Sequence, residues 1–414
     1  MGLPQVIFIT SFWGCENSKT VRAMTSDFWD HPYYTPAKFC TSIVGQWPQQ
    51  TRRKLILHRS LLFVMVILQI TSRVLAVVIN RDDSEVVVDA LGPLIIDVVF
   101  AIKLGNSCYH FKKMKFLSRK IQENWNIFEP HNGLQQLHYH SNFGRQISTL
   151  YLVGVYMGTV SFTTEPLQEQ MIYSLLYPNI TVAKRFPTPM YFGSLDLDTY
   201  YYPLFIASTF CTFLVMTVVG SCDVLLFMYA EHACGLFRGL GYAIENLPPQ
   251  EENETSDLSF YYLRSCIVVH KRAIDFDRFA ECIRDIYLWN FFGVIGLNMI
   301  LMSVTGVQVV TNLDAMEKVV KYAVFVFMQM VHLFIECLAA QRLMDASFEL
   351  KETLTNAKWY MASKKTHKLI LLMLMRSQIP IVLSAGKMIV MNMDTYAIVL
   401  KTAASYFTVF LAMQ

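Results

Sequence analysis

Residues 55–79 read LILHRSLLFVMVILQITSRVLAVVI, an apolar run whose ionisable positions are His58, Arg59 and Arg73. Its length is that of a helix crossing a bilayer, about 20 residues. Comparable runs follow at 86–104, 147–165, 200–230, 287–310, 319–340 and 369–412, the last interrupted near Pro380 and Gly386. A large soluble core accommodates one or two such stretches but not seven. The pattern predicts an all-α membrane protein with seven transmembrane helices, the last one split. Residues 1–50 carry Pro4, Pro32, Pro36 and Pro48 among scattered polar groups, without a basic segment leading into an apolar run. No secretory signal is expected there, and the N-terminus is predicted to stay cytoplasmic.

Composition agrees. Hydrophobic residues make up 54% and charged residues 16% of 414 positions, against about 25% charged in soluble domains. The net charge of +3 gives no field for nucleic acid, so that partner class is excluded. Lys and Arg crowd into 1–59, 103–145, 231–286 and 341–376, whereas 80–85, 166–199 and 311–318 hold only Arg81, Lys184, Arg185 and Lys318. Cytoplasmic segments keep the excess positive charge. The C-terminus is therefore expected outside, and this topology is the reverse of a G-protein-coupled receptor, whose Asp-Arg-Tyr and Asn-Pro-x-x-Tyr hallmarks are also missing. No cysteine falls in a predicted external loop, so structural disulfides are not expected. The sequon at Asn179 lies in the long external loop and is a glycosylation candidate, while that at Asn253 lies on the cytoplasmic side.

No phosphate loop, metal pair on a helix face or nucleophile beside a base is recognisable; no enzyme activity, cofactor or metal site is expected. His131, His138 and His140 cluster in a basic aromatic segment read as a solvated loop. Asp97, Glu336 and Lys401 are ionisable groups inside spans, where they serve either as pairing partners between helices or directly in function. In the last segment Ile398, Thr402, Ser405, Val409 and Met413 recur at helical spacing, polar low on the stripe and apolar toward its external end. Such a stripe suits a pore with an apolar constriction. Packing through the small residues Ala403, Ala404 and Ser405 reads equally well. A pore lined by one helix per chain requires an oligomer.

Aromatic, Met and small residues fill the external halves of four spans: Val88, Leu91, Gly92 and Ile95 in the second; Tyr151, Val155, Gly158 and Phe162 in the third; Pro203, Ile206 and Phe210 in the fourth; Tyr322, Phe325 and Met328 in the sixth. They are candidates for an apolar pocket holding a volatile or lipid-like ligand. Each has the alternative of facing lipid or a neighbouring helix. The loop 166–199, with Pro166, Pro178, Pro187 and Pro189 among aromatics, is a candidate lid.

The chain resembles an insect odorant receptor. The resemblance rests on seven spans with an internal N-terminus, Gly45-Gln46-Trp47-Pro48 ahead of the first span, and an ordered run of C-terminal motifs: Cys337, Ala357-Lys358-Trp359-Tyr360, Met375-Arg376-Ser377-Gln378-Ile379-Pro380, Ala385-Gly386-Lys387, and Leu400 through Thr408. It departs from the family's usual pattern at Ala403-Ala404. The resemblance implies a tetrameric, odorant-gated nonselective cation channel at the plasma membrane, passing sodium, potassium and calcium. A tuning subunit assembles with an olfactory co-receptor, and its ligand is a small apolar odorant or pheromone. On this sequence it implies a cytoplasmic segment 1–54, transmembrane helices and pocket within 55–340, anchor helices over 341–386 and a pore-lining helix over 387–414, gated at Val409 with Met413 one turn beyond. A gustatory receptor of the same superfamily is the alternative. Its last-span signature, Thr-Tyr followed five residues later by Gln-Phe, is only half met, by Thr395-Tyr396.

Overall fold

The computed structural model describes residues 28–128, 134–176, 183–245, 258–357 and 364–412. A 3-10 turn at Phe28–Asp30 precedes α1 (Thr35–Ile43), α2 (Arg52–Ile79), α3 (Ser84–Tyr109), α4 (Phe111–Phe128), α5 (Leu134–Leu176), α6 (Leu197–Glu245), α7 (Leu258–Thr311), α8 (Met316–Asn356) and α9 (Lys364–Arg376). A hairpin of β1 (Ser384–Ala385) and antiparallel β2 (Ile389–Val390) then leads into α10 (Met393–Ala412). Helices α2, α5, α6, α7, α8 and α10 are each long and apolar enough to cross a membrane. With α3, packed against α6 and α7, they make the seven transmembrane helices of a multi-pass membrane protein.

Four of these helices outrun the bilayer. α5, α6, α7 and α8 have 43, 49, 54 and 41 residues, or roughly 60 to 80 Å at 1.5 Å per residue, against a hydrocarbon core of about 30 Å. The basic segments that separate the hydrophobic runs are thus largely helical continuations of the spans. They stay helical because one face remains apolar: Leu236, Leu240, Ala243, Ile244, Leu343 and Ala346 are buried, with Arg238 and Arg342 on the same helices forming ion pairs at their flanks. The short α4 buries Met114, Leu117, Ile121 and Trp125, the spacing of one helical stripe. α5 begins at Leu134, ahead of His138 and His140, so both lie in a helix and not in a solvated loop, while His131 lies outside the described residues. His140 is fully buried, its Nδ1 2.7 Å from Glu231 Oε2.

Two sequence motifs have local physical reasons. Gly45 has φ +66°, and a side chain there would stand 3.0 Å from the Leu55 carbonyl oxygen, so the turn into α2 requires glycine. The next residue, Gln46, is fully buried and accepts a 2.8 Å hydrogen bond from Ser221 of α6. Gly386 has φ +59°; its amide donates to the Leu288 carbonyl at 2.9 Å, and a Cβ would meet Phe292 at 2.9 Å. The break in the last span is therefore a hairpin locked onto α7, and α10 begins at Met393.

At the centre of the bundle lies the ammonium of Lys103. It bonds to Asp223, to Glu336 Oε1 at 2.9 Å and to His332 Nε2 at 2.8 Å. Tyr151 donates to Asp223 at 2.7 Å, and Asn298 meets His332 Nδ1 at 3.2 Å. Five helices, α3, α5, α6, α7 and α8, each contribute to this cluster. Lys103 has no exposed surface, so it is no part of a basic loop; the charge asymmetry rests on its neighbours in sequence.

Lys103→Met removes the cation between two buried carboxylates and is expected to destabilise the fold by about 3–5 kcal/mol. Lys113→Met, which breaks a half-exposed pair with Asp285, is expected to change stability by less than about 1 kcal/mol. Thermal unfolding of the two purified variants in detergent measures the contrast.

Candidate functional site

A cavity of about 910 Å³, mouth included, lies between α3, α5, α6 and α8, with Arg73 of α2 and Asn298 of α7 on its wall. Six predicted residues meet there: Tyr151, Val155, Gly158, Phe162, Phe325 and Met328. α5 supplies the first four because the spacing 151, 155, 158, 162 keeps one helical face toward the bundle. Gly158 lets α8 approach, since a Cβ there would stand 2.9 Å from Met328 Cγ.

The other predicted residues lie elsewhere. Gly92 backs the cavity wall, 3.4 Å from Phe325 at its would-be Cβ. Ile95 is half-buried and outside the lining, where the adjacent Ile96 stands. Val88 and Tyr322 sit further out: the Val88 carbonyl accepts from Gln308 at 3.0 Å, and Tyr322 donates to Asp89 at 2.7 Å. Leu91, Ile206 and Phe210 are 38%, 67% and 53% exposed, and Pro203 is exposed as well. α6 turns a different face and a deeper level inward, presenting Thr212, Val215, Met216 and Val219. Both faces of α6 are apolar, one against lipid and one against protein, so periodicity alone does not choose between them.

Apart from Tyr151, the polar wall residues are not among the pocket candidates. Arg73 pairs with Asp97 at 2.7 Å, both almost fully buried. Gln329, Thr159, Thr212, Asn298 and His332, with the Tyr151 hydroxyl, complete the polar part of the lining. Asp97 and Glu336, singled out as ionisable groups in spans, are thus both in ion pairs, whereas Lys401 is exposed. The signal available in the sequence was Arg73 itself, a cation within an otherwise apolar span facing an acid in the next.

The loop between α5 and α6 is held down over the bundle. α5 runs through Pro166 to Leu176, so the loop is shorter than the 166–199 expected. Within 183–196, Tyr191 exchanges backbone and hydroxyl hydrogen bonds with Ser72 at 2.8 to 3.1 Å. Arg185 pairs with Glu165 and Glu169 of α5, and Lys321 of α8 donates to the Pro187 carbonyl at 2.8 Å. Phe186 packs on Phe192, Tyr201 and Phe205. Pro178 and the sequon residue Asn179 lie outside the described residues.

In α10 the buried face is Thr395, Val399 and Ala403. It rests on α7, where Ser303 donates to the Ala403 carbonyl at 3.0 Å. The stripe of Ile398, Thr402, Ser405 and Val409 lies to one side of that face. Ile398 and Val409 are 61% and 53% exposed, Ser405 is exposed, and Thr402 is half-buried. Of the small residues, Ala403 packs inside while Ala404 is exposed. Met413 lies outside the described residues.

Two groups of potential metal ligands converge, His140 with Glu231 and Cys234, and Asp223 with His332 and Glu336. Each already holds a protein cation: Arg342 pairs with Glu231, and Lys103 bonds to all three members of the second group.

Comparison with known proteins follows this geometry. A family profile described as "7tm Odorant receptor" matches residues 83–404. Odorant receptor 82a of Drosophila melanogaster is 24% identical over 336 residues, 80% of this chain and 85% of that protein. Odorant receptor 22c of the same species is 23% identical over 407 residues, 92% and 96% of the two chains. The structure of the insect olfactory receptor OR5 from Machilis hrabei in complex with eugenol superposes with a TM-score of 0.70 at 13% identity, covering 96% of this chain and 100% of that one. The structure of that receptor described without a ligand gives 0.67.

Gly158→Ala pushes Met328 into the cavity and is expected to raise the half-maximal concentration of the bulkiest active ligand by roughly tenfold while sparing the smallest. Dose-response curves over a size series check this.

Proposed function

The chain belongs to the insect odorant receptor family, and from that premise we propose that it is the tuning subunit of an odorant-gated, nonselective cation channel. In this reading it assembles with the olfactory co-receptor into a heterotetramer in the plasma membrane of a sensory neuron dendrite, its N-terminus cytoplasmic and its C-terminus outside. The ligand is a small, largely apolar odorant or pheromone. The observation that carries the reading is the mainly apolar cavity among α3, α5, α6 and α8 beneath a loop pinned to three helices, the form of a site for a compact neutral molecule. The Machilis hrabei receptor, of the same fold, was solved with eugenol, a small aromatic volatile.

The pore is assigned to α10. Its uncovered stripe, with Thr402 and Ser405 low and Val409 toward the outer end, faces a shared axis when several chains assemble. An apolar ring at Val409 closes the path by dewetting, with Met413 beyond it, and sodium, potassium and calcium pass when the ring parts. The segment 341–386, with the long cytoplasmic parts of α6 and α7, serves as the anchor that holds the subunits together. Ligand binding favours the open arrangement by the difference of its affinities for the two states and by no more than that. Tyr151, Val155, Gly158, Phe162, Phe325 and Met328 are assigned to the ligand.

Whole-cell recording tests both parts. Volatile-evoked cation current is expected only when chain and co-receptor are expressed together. Current evoked by sugars or bitter compounds from the chain alone contradicts the tuning-subunit reading. Val409→Ser is expected to raise unstimulated current several-fold, since a hydroxyl wets the constriction; unchanged basal and evoked currents would remove Val409 from the pore.

A further inference from the structure

The cavity wall carries polar atoms that the fold itself does not use. Arg73 donates to Asp97 through Nη1, but its Nε has no hydrogen-bond partner among the described residues, and neither has Asp97 Oδ1. Gln329, also on the wall, reaches Thr305 through Nε2 at 3.5 Å and leaves its Oε1 unpaired. All three side chains are at least nine-tenths buried. Buried polar groups without partners are rare in native structures, and each is unfavourable until something pairs with it. The remaining polar wall groups are already engaged: Asn298 with His332, His332 with Asp223 and Lys103, Tyr151 with Asp223, Thr159 with the Val155 carbonyl, and Thr212 with the Ser208 carbonyl. The unmet demand therefore consists of one donor and two acceptors on otherwise apolar walls.

Resting on the odorant-receptor reading above, we infer that this cavity selects neutral alcohols and phenols, compact apolar bodies bearing one hydroxyl, over hydrocarbons and over carbonyl compounds of the same skeleton. A hydroxyl both donates and accepts. It donates a hydrogen bond to Asp97 Oδ1 or Gln329 Oε1 and accepts one from Arg73 Nε. An aldehyde, ketone or ester has no proton to give and leaves both acceptor oxygens unmet; an alkane meets none of the three. A carboxylate ligand brings a negative charge beside Asp97 and an ammonium a positive charge beside Arg73. The Arg73–Asp97 pair is neutral as a whole and leaves neither charge in excess to neutralise such a ligand. The apolar walls supply affinity, and the three polar atoms decide which functional group is accepted.

The test is current from cells expressing the full chain with the co-receptor, challenged with matched series: hexan-1-ol, hexanal and hexane; octan-1-ol, octanal and octane; 2-phenylethanol, phenylacetaldehyde and ethylbenzene. In the series of best-fitting skeleton, the alcohol is expected to act at a half-maximal concentration about tenfold below the aldehyde and further below the hydrocarbon. Gln329→Leu, and separately the double variant Arg73→Leu with Asp97→Leu, which strands no charge, are expected to reduce the preference for the alcohol while retaining the hydrocarbon response. The unmodified chain decides the matter without either variant, should one fail to fold. Equal potency of aldehyde and alcohol on every skeleton overturns the inference and leaves the odorant-gated reading standing. A preserved alcohol preference in both responsive variants also overturns it. Current from none of the nine compounds, alongside a response to some volatile that lacks a hydroxyl, overturns the inference alone; no response to any volatile at all overturns the odorant-gated reading with it.

Discussion

One buried ammonium organises this bundle. Lys103 is the point at which α3 is fastened to α6 and α8, and through Asp223 and His332 the same cluster reaches α5 and α7. In a membrane the hydrophobic effect does not draw helices together, since lipid tails are as apolar as leucine. Packing, interhelical hydrogen bonds and ion pairs set which helices are neighbours. A charge taken out of water requires partners of good geometry, and Lys103 has them only when Asp223, His332 and Glu336 are brought in from two other helices. The cluster therefore specifies the arrangement of the bundle as well as holding it. A second set, Glu231 with His140 and Arg342, does the same for α5, α6 and α8 further along the helices.

Much of this was legible in the sequence because hydrophobic length is a strong signal. The runs at 55–79, 147–165 and 319–340 each fall inside one helix, and the interruption near Pro380 and Gly386 is a true break, for a reason visible only in three dimensions: the Gly386 amide bonds to the Leu288 carbonyl where Phe292 leaves no room for a side chain. What the runs did not show is how far the helices continue. Beyond the bilayer the signal changes from uniformly apolar to one-sided, and a segment rich in Lys and Arg then reads as a loop. The histidines at 138 and 140 illustrate the error. Their partners, Trp125 and Tyr33 for His138 and Glu231 for His140, come from remote parts of the chain.

The candidate site was legible by halves. On α5 the small and aromatic positions lie on one face, and that face lines the cavity. On α6 the apolar residues of the outer turn face away, and the wall is made further along the helix by Thr212, Val215, Met216 and Val219. A lipid-facing leucine and a pocket-facing leucine have the same periodicity; only the neighbouring helix distinguishes them. Polar residues were the better guide. Arg73 and Asp97, isolated in apolar spans of adjacent helices, meet each other on the cavity wall.

Tyr151 and His332 belong to two structures at once, since both line the cavity and both touch the Lys103 cluster. The inner end of the cavity is therefore also part of the brace between helices, while Phe162, Met216, Val324 and Phe325 make no such contact. Over evolutionary time the two regions are under different restraint. Under the proposed function, substitutions at the outer wall change the shape presented to a ligand without touching the Lys103 cluster, so receptors descended from this one are free to acquire new preferences there. Changes at the inner end strike the frame itself, and a lineage diversifying its chemical repertoire is confined to rewriting the pocket from its outer wall.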